Sequence, residues 1–503
     1  MSADTPLVLS DARHLLRRAG FEATVAAAQK LVDDNPTRGD AADQLLSFTP
    51  SKFKPGGRYV EDIANKWVRY MVKTKLQLQE RLVLFWHDHF ATSFQKVGDV
   101  GQMAVQNRLI RLNCRGSFKD FVKAINKDPA MMEFLDTVHN HKGDPNENYG
   151  RELQELFTLG VKDPMGNPNY EQDDVKQIAR AFTGWDYDRT GTAFLDTSSH
   201  DKGDSVEHWN PARGPKVIYK TRGGFGNPSG QDFSAGTNYA QEVDNVIDII
   251  FRHRYLDATN TLRNTVGDYI AKKLITYFAQ PDPSQSYVTA VVDESGFGSS
   301  FDLTALLKSI FVHDDFYLTA VPPGAGTHKS VKWPVDYVVS SLRLLQIRLK
   351  GKDQSLLGGE GDPQGGDDVS IRDLLENMGQ MLFEPPSVFG WDWETAWLSS
   401  ATLLARYAFA RDIAGARGGG RTSFRPERLF DLTESDPGTI VDAVTELLGV
   451  KDQLTNSNRD DLITYLTDAG AMPTIDLSDT DTLYRKLNGL VAVVLQSPVY
   501  QLQ

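Results

Sequence analysis

The chain has 503 residues, 40% hydrophobic, 24% charged and 10% aromatic, which is soluble globular usage and excludes a collagenous, disordered or low-complexity polypeptide. Lys and Arg total 54 against 67 Asp and Glu, a net charge of -13, opposite in sign to a surface that grips nucleic acid or anionic lipid. The single cysteine, Cys114, allows no intramolecular disulfide, and no window approaches the length of a membrane-spanning helix.

Met1 to Arg18 lacks the apolar stretch of a signal peptide. The sequence as it stands reads as cytoplasmic; a periplasmic or exported protein is the reading if a signal has been removed.

Apolar residues recur at three- and four-residue spacing through most of the chain, which predicts helices. These are Ala12 to Phe21, Ala23 to Val32, Val60 to Phe90, Phe118 to Asn126, Asn146 to Leu159 and Asp173 to Trp185. From Asp186 to Gly236 glycines and prolines accumulate, with short β-favouring runs such as Lys216 to Tyr219. Helical spacing returns in Tyr239 to Tyr255, Leu262 to Phe278, Leu303 to Phe311 and Pro334 to Leu349, and again from Ile371 to Gln496.

The expected fold is predominantly all-α: a large multi-helix bundle with a long irregular Gly-rich loop excursion and at most minor β-hairpin content. The expected organisation is an N-terminal helical part over 1–185, the excursion over 186–238, a helical continuation over 239–350, a linker over 351–368 and a C-terminal helical part over 369–503.

Polar residues in apolar company are the candidates for chemistry. Asn146 is placed to cap a helix and Gly160 to end it. Between them Glu152 falls inside the arc of Tyr149, Leu153, Leu156 and Leu159. A carboxylate there is costly unless it is paired or bound to a metal, and Arg180 of the next helix is the obvious structural partner. Upstream, Glu80 to Phe90 is apolar almost all round, with His87 and His89 two apart. That spacing separates them on a helix, but lets both reach one ion if the chain is extended after Trp86. His139 and His141 lie in a polar loop and read as solvated. His200-Asp201, His208 and Lys216 fall in the excursion. No nucleophile elbow, His-Glu-x-x-His, phosphate loop or dinucleotide fingerprint is present.

Together these motifs resemble one family, the large bacterial proteins grouped as domain of unknown function 1800. The resemblance rests on His14 to Phe21, Phe85 to Phe90, Asp128 to Met132 and, above all, Asn146 to Gly160. It continues through Ala179 to Trp185, Met378 to Gln380, Pro385-Pro386, Gly390-Trp391 and Arg406. It implies a loop element of the type His-Asp-x-Gly-x-Lys, here split between His200-Asp201 and His208 with Gly214-Pro215-Lys216; the second is preferred. It also implies a partner, a sulfatase-like protein of the domain of unknown function 1501 family, and an envelope or extracellular setting.

Two functions of different class follow. The first is a metal-dependent enzyme, hydrolase-like or non-haem oxidative, in which His87, His89 and Glu155 hold a divalent metal ion. Glu152, Arg151, Arg180, His208 and Lys216 are then its catalytic residues. The second is a non-catalytic helical scaffold or partner subunit whose buried polar motif is structural.

Overall fold

The computed structural model describes residues 3–203, 216–219, 238–318, 329–347, 349, 371–415 and 424–503. The expected linker over 351–368 lies outside the described residues. The architecture is predominantly all-α, with two small two-stranded sheets as its β-structure among the described residues. One hydrophobic core runs from Leu7 to Tyr500.

In chain order, the helices that build the interior begin with α1 (Leu9–Ala19), α2 (Val60–Lys73) and α3 (Gln77–His89). They continue with α4 (Val100–Asn113), α5 (Phe118–Ile125) and α6 (Asn148–Glu152), which runs directly into a π-helical turn over Leu153–Thr158. Next come α7 (Gln172–Ala181) and α8 (Glu242–Ile250). After α9 (Thr265–Phe278) come α10 (Pro334–Leu344), α11 (Ser400–Ala414) and α12 (Asn488–Gln496). The strands are β1 (Trp185–Tyr187) with β2 (Ala193–Leu195), and β3 (Arg254–Leu256) with β4 (Leu262–Asn264), both antiparallel.

Three sequence expectations need correction. The single helix over Val60 to Phe90 is two, because the Thr74 hydroxyl accepts the Leu76 N–H at 3.0 Å and Thr74 itself is extended, at ψ 146. The helices expected over Tyr239 to Tyr255 and Leu262 to Phe278 yield their facing ends to the β3–β4 hairpin, and the Asn264 side chain caps α9 by accepting the Gly267 N–H at 2.8 Å. Lys216 to Tyr219 forms no strand; it is a buried irregular stretch ending at Tyr219 with φ 58.

Helix α3 is buried on every side, and its charges are matched individually. Arg111 of α4 makes a two-pronged contact with Glu80, Nε and Nη2 each 2.8 Å from a carboxylate oxygen, while Trp67 Nε1 donates to Glu80 at 2.7 Å. Arg81 pairs with Asp336 of α10. Removing one member of such a pair leaves a buried charge, so these contacts fix how α2, α3, α4 and α10 pack.

Candidate functional site

The end of α3 is a three-way joint. Helical geometry persists to His89, so His87, Asp88 and His89 point in different directions. The His87 Nε2 accepts the Phe383 N–H at 3.1 Å, and its ring meets Trp67 and Phe383 edge-on. The His89 Nε2 lies 3.2 Å from the carbonyl of Phe157 in the π-turn. A carbonyl only accepts, so His89 carries its proton on Nε2; an N–H only donates, so His87 carries its proton on Nδ1. Burial pushes His87 down to about 3 and His89 well below the usual imidazole range, and both rings are neutral.

Asp88, between them, faces the loop that follows Pro385-Pro386. Its Oδ1 accepts the Trp391 N–H at 2.8 Å and its Oδ2 the Trp393 indole N–H at 3.0 Å. Gly390, at φ +84, lies so close that a Cβ there would stand 2.3 Å from Asp88 Oδ1. Burial raises the Asp88 carboxyl to about 6, opposed by the two N–H donors and the charge of Lys273.

The π-turn packs against α9 and leads into residues 159–164, which form the facing wall. In a π-helix the hydrogen bonds shift by one residue, which displaces carbonyls from the regular ladder. Tyr269 of α9 meets them, its hydroxyl 3.2 Å from the carbonyl of Glu155 and 3.1 Å from that of Leu156. Gly160 ends the turn at φ +76, where a Cβ would stand 2.9 Å from the Tyr269 ring. Residues 159–164, the end of α3 and the loop carrying Phe389 and Trp393 enclose one cleft with α9.

This cleft has a volume of about 690 Å³, in the range of small-molecule sites. Asp88, Lys162, Lys272, Lys273, Tyr269, Phe389 and Trp393 are among its walls. Asp163 and Asp268 also face it: Asp163 is held by the Met165 and Asn167 N–H groups, whereas Asp268 directs Oδ2 to Tyr255 and Arg263 and its Oδ1 has no hydrogen-bond partner among the described residues. Among the described residues Lys273 has no ion pair; it is half-buried, with Nζ 5.6 Å from the Tyr269 ring centroid. Burial lowers its ammonium pKa, and the Asp88 charge opposes that shift.

The sequence-derived candidates occupy other positions. Glu152 is 8% exposed, and its Oε2 has no hydrogen-bond partner among the described residues. Burial raises its pKa, and Glu155 raises it further while Arg151 opposes. The expected Glu152–Arg180 pair does not form, because Arg180 turns to Asp201, with Nε 2.8 Å from Oδ2, and to Gln177. Arg151 pairs with Glu147 at 3.1 Å on the surface, and Glu155 accepts the Tyr170 hydroxyl. Lys216 is fully buried, 2.5 Å from Glu242 Oε2 and 3.3 Å from His200 Nε2. Of the two loop histidines, His200 meets Lys216; the preferred His208 lies outside the described residues. His139 and His141 are exposed, as expected.

His87, His89 and Glu155 do not come together as a ligand set: among the described residues no group of three or more His, Cys, Asp and Glu side chains is arranged to hold a metal ion. The residues that sequence reasoning passed over are Asp88, inside the His-Asp-His run, and Lys273. An adjacent Lys272-Lys273 pair in the otherwise apolar Thr265–Phe278 helix was the available signal for the latter.

No helix of the described residues is long and apolar enough to cross a membrane. No curated protein and no solved structure matches the chain. The family model for proteins of unknown function, DUF1800, matches residues 14–502, nearly the whole length. The joint and the cleft just described are thus the interior of a protein that belongs to the DUF1800 family.

Proposed function

We propose that the protein is an enzyme acting on a small organic anion bound in the cleft between α3, α9 and residues 159–164, which follow the π-turn. Lys273, with Lys272 and Lys162 further out, holds the anionic group. The rings of Tyr269, Phe389 and Trp393 pack the remainder of the ligand. Asp88 exchanges a proton: each carboxylate oxygen accepts one protein N–H and retains a second lone pair, and a carboxyl near 6 transfers protons in both directions at neutral pH.

The observation that carries this reading is a buried carboxyl of raised pKa facing the same cleft as a half-buried lysine that forms no ion pair among the described residues. No step is routed through a metal, because His87, His89 and Glu155 are committed to separate roles in the packing. Their internal contacts favour the scaffold reading for those residues, though not for the cleft. The sulfatase-like partner implied by the family resemblance is compatible with an anionic substrate, and co-purification tests it.

Calorimetric titration with a panel of small carboxylates, phosphate esters and sulfate esters tests the proposal. Binding lost in Lys273→Met and kept in Asp88→Asn, with turnover of the bound compound lost in Asp88→Asn, is the expected result. Absence of binding across the panel, in protein whose melting temperature is normal, contradicts it and favours the scaffold.

A further inference from the structure

The run His14 to Phe21 takes no part in the cleft, yet it carries Arg17 and Arg18 into the interior beside α10. There Arg17, Lys332, Asp336 and Gln453 line a second chamber, of about 30 Å³. It shares no wall with the cleft. Lys332 is 7% exposed, and its Nζ sits 3.7 Å from the centre of the Tyr500 ring. Among the described residues it forms no ion pair with a carboxylate.

The charges around it do not balance. Its strongest electrostatic neighbours are Arg17, Arg81 and Arg406 against Asp336, which is paired with Arg81; Glu22, the other acid of the chamber wall, is paired with Arg343, and Asp452 stands beside Arg17 but is shared with Arg13. Arg17 donates to the carbonyl of Gly449 at 3.1 Å, and Arg406 to Gln501 and to the carbonyl of Lys332, both at 2.9 Å. These acceptors are neutral, so they satisfy hydrogen bonds without cancelling charge. Isolated buried charge is costly and is met by a counter-charge or by loss of the proton. Burial, reinforced by Arg17, pushes the Lys332 ammonium down to about 7.

We propose that this chamber binds one monatomic inorganic anion of halide size, held by Lys332 and Arg17 with the side-chain amide of Gln453. The chamber is small, with room for a monatomic ion of this size. The anion supplies the missing negative charge and ties α1 to α10 and to the Gly449–Gln453 turn.

The test uses the whole protein in two ways. At constant ionic strength, replacing gluconate by chloride is expected to raise the melting temperature by about 1–2 °C, and Lys332→Met to abolish that difference. In crystals of the unaltered protein grown with bromide, an anomalous peak is expected beside Lys332 Nζ, which keeps the inference testable if the variant does not fold. Equal melting in chloride and gluconate, together with no bromide peak in the chamber, overturns it; the counter-charge then comes from the protein's own carboxylates.

Discussion

At a sequence separation of 303, the backbone N–H of Trp391 donates to the carboxylate of Asp88 at 2.8 Å. With the Trp393 indole on the other oxygen, this contact fastens the Gly390–Trp393 loop to the end of α3 and sets the shape of the cleft.

Gly390→Ala is expected to destabilise the protein by about 2 kcal/mol or more, since the added Cβ both collides with Asp88 and meets a left-handed backbone. Denaturant unfolding monitored by tryptophan fluorescence checks it. Stability equal to that of the parent protein would mean that the loop is not held as described.

Asp88 gives a pH prediction with a definite sign. Its carboxyl is raised in the folded state from 3.8 to about 6, so between those values the folded protein binds the extra proton and its stability falls as pH rises. The penalty is complete above about pH 6 and amounts to roughly 3 kcal/mol. Unfolding free energies of the parent and Asp88→Asn, measured from pH 4 to 7, are expected to shift in favour of the parent as pH falls. A difference independent of pH contradicts the burial of Asp88.

The two histidines are expected to stay neutral in the folded protein at pH 6, His87 as the Nδ1–H and His89 as the Nε2–H tautomer, because their Nε2 atoms meet an N–H and a carbonyl respectively. Nitrogen-15 chemical shifts of the imidazole rings distinguish the tautomers directly. Identical tautomers, or protonation near pH 6.5, would refute the three-way joint.

Tyr269→Phe removes the hydroxyl that meets the carbonyls of Glu155 and Leu156 in the π-turn. A loss of about 1–2 kcal/mol is expected, with faster amide exchange confined to residues 153–160. Unchanged exchange there would show that the turn does not depend on α9.

Lys216→Met leaves Glu242 in the interior without its ammonium partner, which costs about 3–5 kcal/mol. Lys216→Met combined with Glu242→Gln is expected to recover a substantial part of that loss. A double variant as unstable as the sum of the two single changes would show that the pair is not coupled.

Period and capping made the helical class and the ends of the Asn146–Gly160 segment legible, because those signals are local. The break at Thr74 was not, since a hydroxyl accepting the N–H two residues on leaves the apolar spacing intact. The spacing of His87 and His89 suits one ion only in extended chain, whereas α3 continues through both. The partner of Arg180 is hidden from the sequence for a related reason. Glu152 is close in sequence, but Asp201 comes from a loop whose path no periodicity predicts, and Asp88 acquires its meaning only from the distant Gly390–Trp393 loop.

The cleft is the centre of this account, and crystals soaked with the panel of small carboxylates, phosphate esters and sulfate esters test it most directly. The account predicts a bound compound between Trp393 and Tyr269, its acidic group within about 3 Å of Lys273 Nζ. Compounds found only elsewhere on the protein, with the cleft left to solvent, would contradict it.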